Sequence, residues 1–323
     1  MSTIAIIGAD GMLGRRLAAA ICRAGRVAGR PVARLVVADI RAPQLTGSAH
    51  GFEILPLIGD MSDAALAGEL AALQPDIVFH VAATFMGQAD SDFFAGYRIN
   101  FFTVQAVLEA LRQARPPAPP RFVYASSIGV YGPPFPALID DAHIARPDSS
   151  YGTQKLMCEL LLDDYSRLGF IDGVGLRLPT LAIRPGTATH GNSGFFSNII
   201  REPLAGRRAE LPADPAVRHW LASPDSAVSY LLHAAALDST ALGTQRSLVM
   251  PGLSVSVAEM LDHLTAIGGP DARARIDRLA PPRYGPADFP PAFTATRALS
   301  LGFAPRERSF AELVAHYTEE TAG

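Results

Sequence analysis

Cysteine, tryptophan and charge are all scarce in this chain. Two cysteines, Cys22 and Cys158, occur in 323 residues, and neither stands in a Cys-x-x-Cys or Cys/His spacing. A disulfide framework and a structural zinc site are thereby excluded, no metal is expected, and both thiols read as small buried hydrophobes in a reducing compartment. Charged residues make up 18% of the chain, with 28 basic against 31 acidic for a net charge of −3. That balance lacks the basic surplus of a nucleic-acid binder. No run of about eighteen apolar residues occurs, so no membrane partner is expected. The first residues enter a strand-like segment without the basic flank of an export signal, and a soluble cytoplasmic protein is the expectation. No internal repeat of about twenty to fifty residues emerges. What the chain does hold is 49% apolar residues, enough for a large core in one or two domains, which excludes global disorder.

The first half alternates strand-like and helix-like segments. Short apolar runs at Ile4–Ile7, Leu35–Ala38, Ile77–Ala82 and Phe122–Ala125 are each followed by a longer amphipathic segment: Met12–Ala24, Asp63–Leu73, Asn100–Arg112 and Tyr151–Leu168. A fifth run, Val174–Leu178, follows, and a weaker one lies near Phe52–Leu57. Continuously apolar strands alternating with helices require a parallel sheet covered on both faces, so the fold class is α/β, a Rossmann-type doubly wound sheet. After Pro179 come a polar loop at Gly186–Ser193, helices at Phe195–Ala205 and Ala222–Asp238, a strand at Ser247–Met250, a proline-dense loop at Ala280–Pro291 and a final helix at Glu307–Glu320. The expected division is a dinucleotide-binding domain over 1–180, with 217–250 returning to it, and a smaller α/β substrate-binding subdomain over 181–216 and 251–323.

Gly8-Ala9-Asp10-Gly11-Met12-Leu13-Gly14 follows the first strand and opens the first helix. Glycines at this junction allow a tight turn that brings backbone N–H groups, those of Gly11, Met12 and Leu13 among them, against a pyrophosphate at a helix N-terminus. Asp39 ends the next strand, where a carboxylate accepts from the adenosine ribose hydroxyls and repels the extra phosphate of NADP. NAD is the expected cofactor, although Arg41, two residues on, is a candidate for a 2′-phosphate. Asp60, in Asp60-Met61, either reaches the adenine edge or caps the helix that follows.

Tyr151 and Lys155 stand four apart at the start of a helix, hence on one face. A tyrosine is a poor base at neutrality, but an adjacent ammonium stabilises its phenolate. It then takes a hydroxyl proton while hydride leaves carbon. Upstream, a strand ends in Ala125-Ser126-Ser127, and a serine there is placed to hold the reacting oxygen.

With the glycine loop, Asp39, Asp60, His80-Val81-Ala82-Ala83, Asn100, Ser126–Gly132, Tyr151 with Lys155, and Arg177-Leu178-Pro179, the chain resembles the extended short-chain dehydrogenase/reductases of the nucleotide-sugar epimerase/dehydratase type. The resemblance implies that Ser127 pairs with Tyr151 while Ser126 contacts substrate or cofactor. It further implies that Ala82 and Ala83 pass the cofactor ribose with Asn100 behind them, and that the backbone after Pro179 meets the nicotinamide. It also implies a homodimer paired through the Asn100–Arg112 and Tyr151–Leu168 helices.

The second half departs from the nucleotide-sugar pattern. Arg218-His219-Trp220-Leu221-Ala222 replaces several positions of the usual motif, and Ile183-Arg184-Pro185-Gly186 lacks the usual asparagine. A narrower resemblance, carried by Ser150–Lys155, Arg177–Thr180, Ile183–Gly186, Gly194–Leu204 and His219–Val228, is to members that oxidise the C2 hydroxyl of a four-carbon sugar acid with NAD. Arg184 is then a candidate for the substrate carboxylate, or an ion pair of the domain junction. Ser193, Asn198 and His219 are candidates for the substrate hydroxyls. Two alternatives remain: a nucleotide-sugar epimerase that retains its NAD, and a non-catalytic NAD sensor on the same scaffold. Dehydration is disfavoured, because Ile128-Gly129 stands where such members carry Asp-Glu.

Overall fold

The computed structural model describes residues 1–43, 51–84, 86–186 and 193–322. Residues 187–192 of the polar loop read at Gly186–Ser193 lie outside them. In chain order the first elements are β1 (Ser2–Ile7), α1 (Met12–Ala24), β2 (Arg26–Val27), β3 (Arg30–Asp39), β4 (Glu53–Ile58), α2 (Ala64–Ala72) and β5 (Ile77–His80). There follow α3 (Met86–Ser91), α4 (Phe93–Tyr97), a wide π-helical turn at Arg98–Phe102, α5 (Thr103–Ala114), β6 (Arg121–Ser127), α6 (Ser150–Arg167) and β7 (Asp172–Leu178). The remainder comprises β8 (Thr180–Leu181), α7 (Phe195–Leu204), β9 (Ala209–Leu211), β10 (Arg218–Ala222), α8 (Pro224–Ala236) and β11 (Ser247–Val249). It closes with β12 (Leu253–Ser256), α9 (Val257–Arg273), β13 (Ile276–Arg278), α10 (Thr296–Ser300) and α11 (Phe310–Ala322).

The chain forms two compact units. The first comprises Met1–Val130, Ser149–Arg177 and Val228–Leu248. Its sheet runs β11-β7-β6-β5-β1-β3, with β2 and β4 both on the far edge of β3. The pairings β4–β3, β3–β1, β1–β5 and β5–β6 are parallel. The alternation read from the sequence requires this: Ile4, Ile6 and Val78 are fully buried whichever face they present. On one face Ala5, Ile7, Val78, Phe122 and Tyr124 join Leu70 of α2, Val107 and Leu111 of α5 and Leu162 of α6 in one cluster. Burying each such side chain contributes about 1.5–3 kcal/mol. The chain winds outward from β1 to β4, then returns to place β5 on the other side of β1. The carboxyl ends of β1 and β5 are therefore the switch point at which such sheets bind ligands.

The second unit comprises Tyr131–Asp148, Leu178–Ala227 and Val249–Gly323. β10 pairs antiparallel with β12 and parallel with β8, and β9 pairs parallel with β13. Phe195, Ile199 and Ile200 of α7, Met260 and Leu264 of α9, and Leu313 of α11 form its core. Two boundaries differ from the sequence reading. Tyr131–Asp148 falls in this unit because Ile139 exchanges hydrogen bonds with Ala292 and Thr294 and the Tyr131 ring lies 5.5 Å from Phe293. The return to the first unit comes at Val228, not 217, because His219–Leu221 are paired into the second unit's sheet. The helix read from Ala222 begins at Pro224, whose fixed φ suits a first helical position.

Candidate active site

The cofactor end of the first unit begins where β1 stops. Gly8 has φ +89°, and a Cβ there would lie 2.5 Å from the Ala82 nitrogen, so only glycine meets both demands. Ala82 itself is held by donating its N–H, as Val81 does, to the Ile7 carbonyl. At Gly14 a Cβ would stand 2.0 Å from the Gly8 carbonyl oxygen and 2.8 Å from Ala9 Cα, which draws α1 tightly onto the loop. Gly14→Ala must push that backbone apart. Overpacking of this kind costs about 1–3 kcal/mol, and chemical denaturation of the variant should show a loss in that range together with weakened dinucleotide binding.

The residues here fit a dinucleotide. α1 opens at exposed Gly11 with no side-chain cap and no carboxylate in its first turn, leaving the N–H groups around Met12 and Leu13 for an anion. Asp39 ends β3, and its carboxylate accepts from the backbone N–H groups of Asp10 at 2.8 Å and Ile40 at 2.8 Å. It is thereby fixed beside the glycine loop. Arg41 pairs with Asp10 at 3.3 Å. Asp60 accepts from the N–H and hydroxyl of Ser62 and pairs with Arg98 at 3.3 Å. The cap of α2 is Asp63, which accepts from Ala65, so Asp60 is not that cap. Met61 beside it is buried.

The candidate catalytic residues lie on β6 and α6. Ser149 caps α6 by accepting from the Gly152 N–H, which sets Tyr151 and Lys155 on the first turns. Lys155 is buried, donates to the Ala125 carbonyl at 2.7 Å, and sits 4.8 Å from the Tyr124 ring and 5.7 Å from the Tyr151 ring. Burial lowers its pKa to about 8. His80 beneath is fully buried, with Nε2 3.2 Å from the Thr103 hydroxyl. Burial first, then the Lys155 charge, depresses its pKa to about 3, so the ring is neutral and adds no competing cation.

Strand alternation separates the two serines, because neighbours on a strand face opposite ways. The Ser127 hydroxyl is half-buried at the strand end and accepts from the Gly129 N–H at 3.0 Å, keeping its proton to donate. Ser126 is buried and donates inward to Glu159, which Arg177 also grips at 2.7 Å. This corrects the expectation that Ser126 contacts substrate: its hydroxyl is committed to a buried ion pair. Asn100 lies behind the Ala82-Ala83 stretch, where the resemblance puts it. It is fully enclosed in the π-helical turn, accepts from the Thr84 N–H at 2.9 Å and donates to Gln154 at 2.6 Å. It thus fixes the segment carrying Ala82 and exposed Ala83 from behind. Sequence reasoning missed Gln154 and Glu159; the signal for Glu159 was its place one turn beyond Lys155 on the same helix face.

The remaining candidates belong to the second unit. His219 is corrected too. Its Nδ1 lies 3.2 Å from the Pro290 carbonyl, which only accepts, so Nδ1 carries the proton and Nε2 accepts from the Thr180 hydroxyl at 2.7 Å. The ring stacks on Phe196 at 4.9 Å, and burial holds its pKa at about 4. Both nitrogens are spent inside the unit, leaving none for a substrate hydroxyl. Asn198 accepts from Arg201 at 2.7 Å through its amide oxygen. Arg184 is fixed through its backbone, donating to Ser197 at 3.1 Å and accepting from Arg201 at 2.6 Å. Ser193 is half-buried in the turn before α7, and Pro179 is buried between β7 and β8.

Comparison with known proteins agrees with this fold. Residues 4–244 match the model of the NAD dependent epimerase/dehydratase family. The chain is 39% identical over 323 residues to a D-erythronate dehydrogenase of Cupriavidus necator, covering 98% of both chains. It is 35% identical over 302 residues to a D-erythronate dehydrogenase of Haemophilus influenzae, covering 93% of this chain and 94% of the other. A crystal structure described as a nucleoside-diphosphate-sugar epimerase from Agrobacterium tumefaciens superposes with a TM-score of 0.93 at 43% identity, over 100% of this chain and 95% of that one.

Proposed function

The chain belongs to the NAD dependent epimerase/dehydratase family, and from that premise we propose that it is an NAD-dependent dehydrogenase that oxidises the C2 hydroxyl of D-erythronate to the 2-oxo acid. The observation that carries the reading is the near full-length likeness to two proteins named D-erythronate dehydrogenase. The Ser127, Tyr151 and Lys155 arrangement supports it. When bound, NAD supplies the acceptor for the hydride that leaves C2. Ser127 donates to the reacting oxygen, and Tyr151 takes the C2 hydroxyl proton. The Lys155 ammonium, held by the Ala125 carbonyl, stabilises the negative charge on Tyr151. Gly8, Gly11 and Gly14 shape the pyrophosphate site and Asp39 takes the ribose hydroxyls. Arg184 binds the substrate carboxylate, with Ser193 and Asn198 on its hydroxyls. The proposal includes a homodimer paired through α5 and α6, consistent with Leu160, which α6 leaves 62% exposed.

A second reading, an epimerase with retained NAD, draws on the description of the Agrobacterium tumefaciens structure. Initial rates of NADH formation with D-erythronate, D-threonate, L-threonate and longer aldonates separate the two. The dehydrogenase reading expects D-erythronate to be turned over fastest with NAD. No NADH with any sugar acid would transfer the case to the epimerase.

A further inference from the structure

Asp10, the residue inside the glycine loop, is the centre of a charge cluster. Its carboxylate is 8% exposed and bridges two guanidiniums: Arg15 of α1 at 2.8 Å on one oxygen, and Arg41 beyond β3 at 3.3 Å on the other. Both arginines are largely exposed, at 55% and 76%. The Asp10 N–H meanwhile donates to Asp39 at 2.8 Å. One residue therefore orients the carboxylate expected at the adenosine ribose and also pairs with two arginines. Arg41 taken alone reads as a phosphate ligand. In the structure its charge, and that of Arg15, is met by Asp10.

We propose that Asp10 is a specificity-determining residue that keeps Arg15 and Arg41 from receiving the 2′-phosphate of NADP, so that cofactor choice rests on Asp10 together with Asp39. Asp10 and Asp39 balance Arg15 and Arg41, and a dianionic 2′-phosphate entering beside this neutral cluster meets the Asp39 charge while both guanidiniums are engaged by Asp10. Neutralising Asp10 releases one net positive charge at the sheet edge and leaves both guanidiniums able to fork onto phosphate oxygens. A carboxylate at the end of β3 disfavours NADP by repulsion alone; the Asp10 bridge adds the sequestration of the cations that would otherwise attract it.

The inference rests on the dinucleotide reading of the first unit, and titration of NADH and NADPH into the purified chain tests it by binding rather than turnover. Asp10→Asn is nearly isosteric and keeps an acceptor for Arg15, so the fold is preserved. The ratio of NADPH to NADH affinity should rise at least about tenfold in Asp10→Asn. It should rise further in Asp10→Asn/Asp39→Asn, and fall back most of the way in Asp10→Asn/Arg41→Ala/Arg15→Ala. The gain should also shrink with salt, as a charge effect does. NADH binding with an unmoved ratio would overturn the proposal and leave the dinucleotide reading standing, as would a gain that survives loss of both arginines. Failure of the unsubstituted chain to bind NADH would overturn both.

Discussion

Tyr151→Phe should lower kcat by about a thousandfold while the affinity for NADH stays within about twofold. The substitution removes one oxygen and keeps the ring that faces the Lys155 ammonium at 5.7 Å, so packing and local charge survive. What disappears is the group proposed to accept the C2 hydroxyl proton, and a positioned base of this kind is worth about 10²–10⁴ in rate. Stopped-flow or steady-state turnover with D-erythronate, paired with an NADH titration, measures both quantities. Comparable turnover in the variant would remove Tyr151 from the role.

Lys155→Met should lower kcat by about 10²–10³-fold, the range seen when a preorganised charge or donor is taken from a developing anion. The intact protein makes a related prediction in pH. Burial holds the Lys155 pKa at about 8, so activity that depends on its ammonium should fall as pH rises through about 8. That loss is not unfolding. The folded pKa is depressed below the ordinary lysine value, so between about pH 8 and the ordinary lysine range the unfolded state binds more protons. In that window this group makes folding more favourable as pH rises. A falling rate with an unchanged or rising melting temperature is the expected pair. A rate that holds steady well above pH 8 would show that the ammonium is not required.

The parts of the fold legible in the sequence are those in which one physical demand acts alone. Ile4–Ile7 and Phe122–Ala125 are apolar on both faces because their sheet is covered on both, and they appear as strands at those places. The glycine loop was legible because Gly8 and Gly14 answer to backbone conformation and space, which admit no other residue. Polar residues in apolar surroundings were harder. Asn100, Ser126 and His219 announce themselves as polar, but their partners Thr84 and Gln154, Glu159, and Thr180 with Pro290 come from distant segments. Two candidate ligand contacts, Ser126 and His219, thus proved to be internal hydrogen bonds, as buried polar groups require. The helix Val257–Arg273 was missed although Ser256 and Glu259 form a capping box readable at that spacing. Asp10 went unremarked because its significance lies in Arg15 and Arg41, which only the loop and sheet edge bring to it.

The most direct test of the account is the number of NADH equivalents released per protein molecule with excess D-erythronate and NAD. A dehydrogenase exchanges its cofactor at every cycle, so the account predicts steady accumulation of many equivalents, matched one for one by 2-oxo acid. At most one equivalent, with no 2-oxo acid in solution and interconversion of a nucleotide sugar by the same preparation, would contradict it.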